Sequence, residues 1–205
     1  MSTELEIYKK NPEELYSKDF FRRMQRIRKW QFPVGERVAD LYKIKSVVDF
    51  GCASGYYLEG FKKAGATVKG FEYLLENSLE FVSKDMEPFI EEGNVMEPID
   101  CGTFDLSMSI EVAEHLLPEK SDIFINNLVK ASNKYILFTA APPGQGGTGH
   151  INEQPAKFWI DKFAAKGFVL SSEDVSKVQD LFKGLPFYNK YTRLIKRQIM
   201  FFVKE

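Results

Sequence analysis

The sequence is short of the residues that build disulfide frameworks, metal clusters and membrane spans. Its 205 residues include two cysteines, Cys52 and Cys101, and two histidines, His115 and His150. The cysteines do not have zinc-site spacing, and a chain of this size closes a core without a disulfide, so both thiols are expected free in a reducing compartment. No apolar run approaches the roughly 18 residues of a membrane-crossing helix. The opening MSTELEIYKKNPEEL has no apolar signal core, so a cytoplasmic location is the default expectation. A charge excess of either sign is also missing: 28 Lys and Arg against 29 Asp and Glu leave −1. That excludes a global positive field for gripping nucleic acid and leaves room only for a local patch.

What is present is core. Apolar residues make up 44% of the chain, with 18 Phe, and the length fits one domain. Residues 12–42 read as helical, with Phe20, Met24 and Ile27 at helical spacing and a break near Pro33. From residue 46 the pattern changes to short apolar runs alternating with amphipathic segments. Strands are expected at 46–50, 66–73, 104–110, 134–140, 168–174 and 198–203, a short strand with a turn within 87–95, and helices at 56–65, 78–86, 120–132 and 154–167. Such alternation predicts an α/β sheet of parallel strands flanked by helices, with ligands at the carboxyl ends of the strands.

The first strand runs into Asp49-Phe50-Gly51-Cys52-Ala53-Ser54-Gly55. Gly51 and Gly55 permit a tight turn and close backbone approach to a ligand. They are equally compatible with an ordinary strand–helix turn. Asp49 ends an apolar strand, a costly place for a carboxylate without a partner. Glu72, 17 residues beyond Gly55 (72 − 55), ends the second strand, where an acid can accept two hydrogen bonds from a ribose diol.

VVDFGCASG followed by GFEY resembles the first two motifs of class I S-adenosylmethionine (SAM)-dependent methyltransferases. The resemblance extends through Gly93-Asn94-Val95, Phe104-Asp105-Leu106 and Glu111-Val112-Ala113-Glu114-His115, covering roughly residues 46–170. It implies a Rossmann-like methyltransferase sheet with an antiparallel last strand (core 46–205), and an N-terminal helical segment (1–45) over the cofactor and acceptor. It also implies SAM as cofactor: Asp49, Gly51, Cys52, Ala53 and Gly55 face its methionine part, Glu72 holds its ribose, Asn94 and Val95 flank its adenine, Ser109 lies near the methionyl end, and Tyr73 is a further cofactor-binding residue. Ala53 replaces a frequent middle glycine and Asn94 a frequent Asp. A nicotinamide dehydrogenase is the rival, but its G-x-G-x-x-G loop is absent, the glycines here being spaced G-x-x-x-G.

Both histidines follow predicted strands. His150 comes after a stretch with four glycines among residues 144–149, suited to backbone approach to a ligand, and is the first candidate for taking a proton from a hydroxyl or amine. His115 has a positioning role as its alternative, and a solvated loop is the alternative for His150. Glu111, Glu114, His115 and His150 also resemble the metal set of the small-RNA 3′-terminal 2′-O-methyltransferases, with ligands suited to Mg²⁺, Mn²⁺ or Zn²⁺. The expectation is nevertheless no metal, because the E-V-x-E-H motif recurs in metal-free methyltransferases.

Among the early aromatics Tyr8, Tyr16, Phe20, Phe21, Trp30 and Phe32, most are expected in the core, with Tyr16 or Phe20 free to wall the acceptor site. Arg22, Arg23, Arg26, Arg28 and Lys29, with Lys183, Lys190, Arg193, Lys196 and Arg197, form either solvated faces or a site for an anionic acceptor. The function expected is methyl transfer to O or N of a small molecule. An RNA- or nucleotide-modifying enzyme and a non-catalytic SAM-binding protein are the alternatives.

Overall fold

The computed structural model describes residues 12–185 and 190–205. Tyr8 and the side chain of Lys190 lie outside the described residues. Short helices α1 (Pro12–Leu15) and α2 (Lys18–Met24) and a 3-10 turn (Gln25–Ile27) lead into α3 (Arg28–Tyr42). Pro33 lies inside α3, so the break expected there falls instead at residues 25–27. A proline early in a helix removes one hydrogen bond near its start, and burial of Trp30, Val34 and Val38 offsets that loss.

The alternating part runs β1 (Ser46–Phe50), α4 (Tyr56–Lys63), β2 (Thr67–Glu72), α5 (Leu75–Leu79), β3 (Ile90–Glu92), β4 (Phe104–Ile110), α6 (Ser121–Lys130), β5 (Ser132–Thr139), α7 (Ala156–Ala164), β6 (Phe168–Leu170), α8 (Ser172–Asp180), α9 (Lys190–Gln198) and β7 (Met200–Lys204). The seven strands form one sheet in the order β3-β2-β1-β4-β5-β7-β6. All neighbours are parallel except β7, which is antiparallel to both β5 and β6. The chain moves outward from β1 through β2 to β3 and then returns to β4 on the other side of β1. The order therefore reverses between β1 and β4, and a crevice opens there at the strand ends.

Two expected elements differ. The helix expected at 78–86 is only α5, which continues as i→i−3 turns: Phe81 N–H to Ser78 O at 2.8 Å, Val82 to Leu79 at 3.1 Å, Met86 to Ser83 at 2.7 Å. The strand expected at 168–174 stops at Leu170, because Ser171 caps α8. Its hydroxyl accepts from the Asp174 N–H at 3.2 Å and donates to the Asp174 carboxylate at 2.6 Å.

Period-2 alternation sorts the strands' side chains onto two buried faces. Val47, Leu106, Leu137 and Phe201 pack on one side with α3 and α4 residues such as Val38 and Phe61. Val48, Phe50, Ile136, Phe138 and Phe202 pack on the other with Phe124, Leu128, Trp159 and Phe163. On the first side α3 and α4 pack almost backbone to backbone. A Cβ on Gly60 would overlap the Phe32 carbonyl oxygen, and one on Gly35 the Tyr57 carbonyl.

Candidate active site

At the reversal point the turn after β1 is stitched to the end of β2. Gly51 and Cys52 donate their N–H groups to Phe71 O at 2.8 and 3.0 Å. Glu72 accepts from the Ala53 N–H at 2.9 Å and from the Leu74 N–H at 3.2 Å. Each of its oxygens keeps a further lone pair for a ligand hydroxyl. Gly51 (φ +83) and Gly55 (φ +70) need the left-handed backbone, and a Cβ on Gly51 would meet Val112 at 2.6 Å. Ala53 adopts a φ of 50° with its methyl group in place, a conformation an L-residue holds at a cost of about 1–2 kcal/mol.

Asp49 is 3% exposed, and its Oδ1 has no hydrogen-bond partner. Burial, reinforced by the nearby Glu72 charge, pushes its carboxyl up to about 8. Burial also raises Glu72, against the pull of the N–H groups it accepts from, and raises the Cys52 thiol. Cys52 and Cys101 are both free thiols.

Tyr73 is 38% exposed beside Glu72. Past β3, the Asn94 side-chain oxygen accepts from Met96 N–H at 3.0 Å, and Val95 is buried. Buried Asn127 holds that turn by donating to Val95 O and Glu97 O at 3.0 and 2.8 Å while accepting from Ile99 N–H at 3.0 Å. Ser109 is fully buried, and its hydroxyl donates to Phe50 O at 2.6 Å, tying β4 to β1.

Two loops after β4 and β5 bring the histidines together. The Glu114 carbonyl accepts from the N–H groups of Ile151 and Asn152, both at 2.9 Å, and the Asn152 amide donates to Ala113 O and Ser121 Oγ, both at 3.2 Å. The His115 and His150 rings stand edge to face, 4.8 Å between centroids. Each is gripped at Nδ1: His150 by the Glu153 carboxylate at 2.9 Å, His115 by the Tyr16 hydroxyl at 2.9 Å and the Gly149 carbonyl at 3.3 Å. Glu153 is itself fixed by the N–H groups of Gly144 and Gly146 at 2.7 and 2.6 Å. Burial, helped by His150, drives His115 down to about 4, so it is neutral at pH 7.

Glu111 is left-handed (φ 58). Its N–H donates to Thr139 Oγ1 at 2.9 Å, and that hydroxyl donates back to its carboxylate at 2.7 Å. Left-handed backbone at a non-glycine residue costs about 1–3 kcal/mol and persists where the surroundings fix it, as this clamp does. Glu114 is wholly buried, and no hydrogen bond reaches either carboxylate oxygen. Burial, then repulsion from Glu111, raises its pKa strongly, and burial raises Glu111 as well. The ligand atoms of Glu114, His115 and His150 lie within 4.8 Å of one another. Glu111 is the one member of the four candidate ligands outside that group.

Sequence reasoning missed Glu153, Thr139, Asn127 and Asn152. The spacing of His150 and Glu153, three residues apart, was a usable signal; the others are recognisable only by what they reach across the fold. Tyr16 arrives from the N-terminal helices and packs edge-on to His115 at 5.6 Å, whereas Phe21 and Trp30 are core. Of the basic run, Arg28 pairs with Glu59 at 2.6 Å and Arg22 with Asp19 at 2.5 Å. Late in the chain Lys183 pairs with Asp180 at 2.7 Å.

No family model matches the sequence, and no curated protein matches it. Solved structures match its fold. Magnesium protoporphyrin IX methyltransferase from Synechocystis, solved with bound SAH, superposes at TM-score 0.59 and 16% identity over 86% of this chain and 84% of that one. Human N-acetylserotonin methyltransferase in complex with SAM gives 0.61 and 15% over 97% and 57%. An O-methyltransferase family protein from Burkholderia thailandensis gives 0.65 and 12% over 92% and 59%. The fold is the Rossmann-like methyltransferase fold. Among the described residues no helix is long and apolar enough to cross a membrane.

Proposed function

We propose that the protein is a SAM-dependent methyltransferase acting on O or N of a small molecule. The observation that carries this reading is the site at the carboxyl ends of β1 and β2, beside the reversal point between β1 and β4. A glycine turn lies beside an unpartnered buried carboxylate, Asp49, and a second carboxylate, Glu72, is held by two backbone N–H groups with lone pairs to spare. Those features fit the cofactor: Glu72 the ribose hydroxyls, and ionised Asp49 the cationic methionine end. Asn94 and Val95 would flank the adenine. When bound, SAM supplies a methyl group on a sulfonium, already electrophilic.

The chain's own contribution is to orient the acceptor and take its proton. Glu153 holds His150 with Nδ1–H toward the carboxylate, which leaves the Nε2 lone pair to receive the acceptor's proton. Neutral His115, fixed by Tyr16 and Gly149, packs against that ring and sets its position. Replacing His150 with Ala should leave SAM affinity within about twofold while lowering the methyl-transfer rate by about 10²–10⁴-fold. Normal turnover in that variant would make the glycine loop structural, and loss of turnover in His115→Ala instead would exchange the two roles. The neighbouring O-methyltransferase structures support a small-molecule acceptor, and a cytoplasmic location accords with two free thiols.

One observation favours a second reading, metal-assisted transfer. Glu114 is a buried carboxylate without a hydrogen bond, aimed at two imidazoles whose Nδ1 atoms are already engaged. Those residues fit a divalent cation, which Glu114, His115 and His150 would hold and which would acidify an acceptor hydroxyl. In the metal-free reading Glu114 is protonated, and activity survives EDTA in protein carrying no stoichiometric Mg, Mn or Zn. Activity lost to chelator and restored by Mg²⁺ or Mn²⁺ would establish the second reading and bring an RNA terminus forward as acceptor.

A further inference from the structure

A cavity of about 610 Å³ lies where the loop that follows β5 meets β6, β7, α7, α8 and α9. That is the size range of pockets for drug-sized molecules. Its walls are mostly hydrocarbon, with Ile160 of α7, Leu170 of β6, Val175 of α8, Leu194 of α9 and Ile199 all facing in. Among the described residues Arg197 is the one charged side chain in the lining, and it makes no ion pair with them. At the same wall the Gln198 side chain donates to the Gln145 side-chain oxygen, and the Gln198 oxygen is buried with no partner of its own.

Gln145 connects this cavity to the candidate active site. It stands between Gly144 and Gly146, whose N–H groups fix the carboxylate that grips His150. A molecule resting on Gln145 therefore rests on the loop that sets the proton acceptor.

We propose that this cavity anchors the acceptor, and that the acceptor is an amphipathic carboxylic acid. Its hydrocarbon body lies between α7 and α8, its carboxylate meets the Arg197 guanidinium, and its hydroxyl or amine reaches the His150 loop. The proposal rests on the methyltransferase reading above. Apolar walls select the body, since burying hydrocarbon is favourable in proportion to its area. A guanidinium at the rim selects an acid over a neutral analogue through paired, charge-assisted hydrogen bonds.

The test is calorimetric titration of 10-hydroxydecanoate and of 1,10-decanediol into the full chain, with SAH titrated in parallel. The acid should bind at least tenfold tighter than the diol. Ile160→Trp, which fills the cavity, should weaken both by more than tenfold. Arg197→Gln, at an exposed position, should abolish the preference for the acid while keeping the diol. SAH affinity should be unchanged in both variants. The proposal is overturned if wild-type protein binds neither compound, if it does not prefer the acid, or if Arg197→Gln keeps the preference. Failure of SAH to bind would instead remove the methyltransferase reading and leave the cavity's selectivity as measured.

Discussion

Asp49 and Glu72 carry the cofactor reading through different physics. Glu72 is a positioned acceptor, and Glu72→Ala should weaken SAM by about 1.5–3 kcal/mol, the worth of hydrogen bonds to a charged group, measured by calorimetry. Asp49 is a buried acid whose pKa near 8 leaves it mostly protonated at pH 7 in the free protein. A cationic ligand beside it favours the ionised form. SAM binding at pH 7 is therefore expected to release up to about one proton, read as a dependence of the observed heat on buffer ionisation enthalpy. Asp49→Asn should remove that dependence; a wild-type heat independent of buffer would place the cation elsewhere. Asp49, Glu72 and both histidines were legible in the sequence because strand ends and glycine turns advertise them. Tyr16 was legible only as a wall of the acceptor site and not as a partner of His115, and Glu153 only through its spacing from His150. Thr139, Asn127 and Asn152 were not legible, because what they hold is decided by which segments lie side by side after folding. Ala53 stands where a middle glycine is frequent, and the structure shows what that glycine would relieve: Ala53 sits in the left-handed region. Ala53→Gly should accordingly stabilise the protein by about 1 kcal/mol in urea unfolding.

The strands were the most legible elements, since short apolar runs buried on both faces have few other fates. The helices were less so. Pro33 reads as a breaker from its own chemistry, yet α3 passes through it because tertiary packing on α4 outweighs the lost bond. Residues 171–174 read as an extension of β6 because nothing apolar interrupts them; the N-cap bond from Ser171 decides for a helix. Ser171→Ala should cost about 1 kcal/mol. The close crossing of α3 and α4 leaves a sharper mark. A methyl on Gly60 would overlap the Phe32 carbonyl, so Gly60→Ala should cost about 1–3 kcal/mol by overpacking, despite alanine's better helix propensity. A gain in unfolding midpoint would show that the two helices separate easily.

Across the whole molecule, the buried acids set the pH dependence of the free protein. Native Asp49 holds its proton up to about pH 8, while the unfolded chain releases it near 4. The unfolded state therefore binds fewer protons through that window, and stability falls as pH rises. His115 works in the opposite sense: held neutral down to about 4, it costs stability only as pH drops below 6.5. Above 6.5 its contribution is flat, so the urea midpoint of the free protein should decline from pH 6.5 to 8, less steeply in Asp49→Asn. Saturating SAM should raise the midpoint at every pH in that range, because a ligand that binds only the folded state stabilises it by mass action. The central claim, that the reversal point between β1 and β4 is a SAM site, is tested most directly by titrating the protein with SAH and with NAD in a calorimeter. SAH should bind with a Kd in the micromolar range or tighter, about −8 kcal/mol, with no comparable heat from NAD; NAD binding without SAH binding would contradict the account.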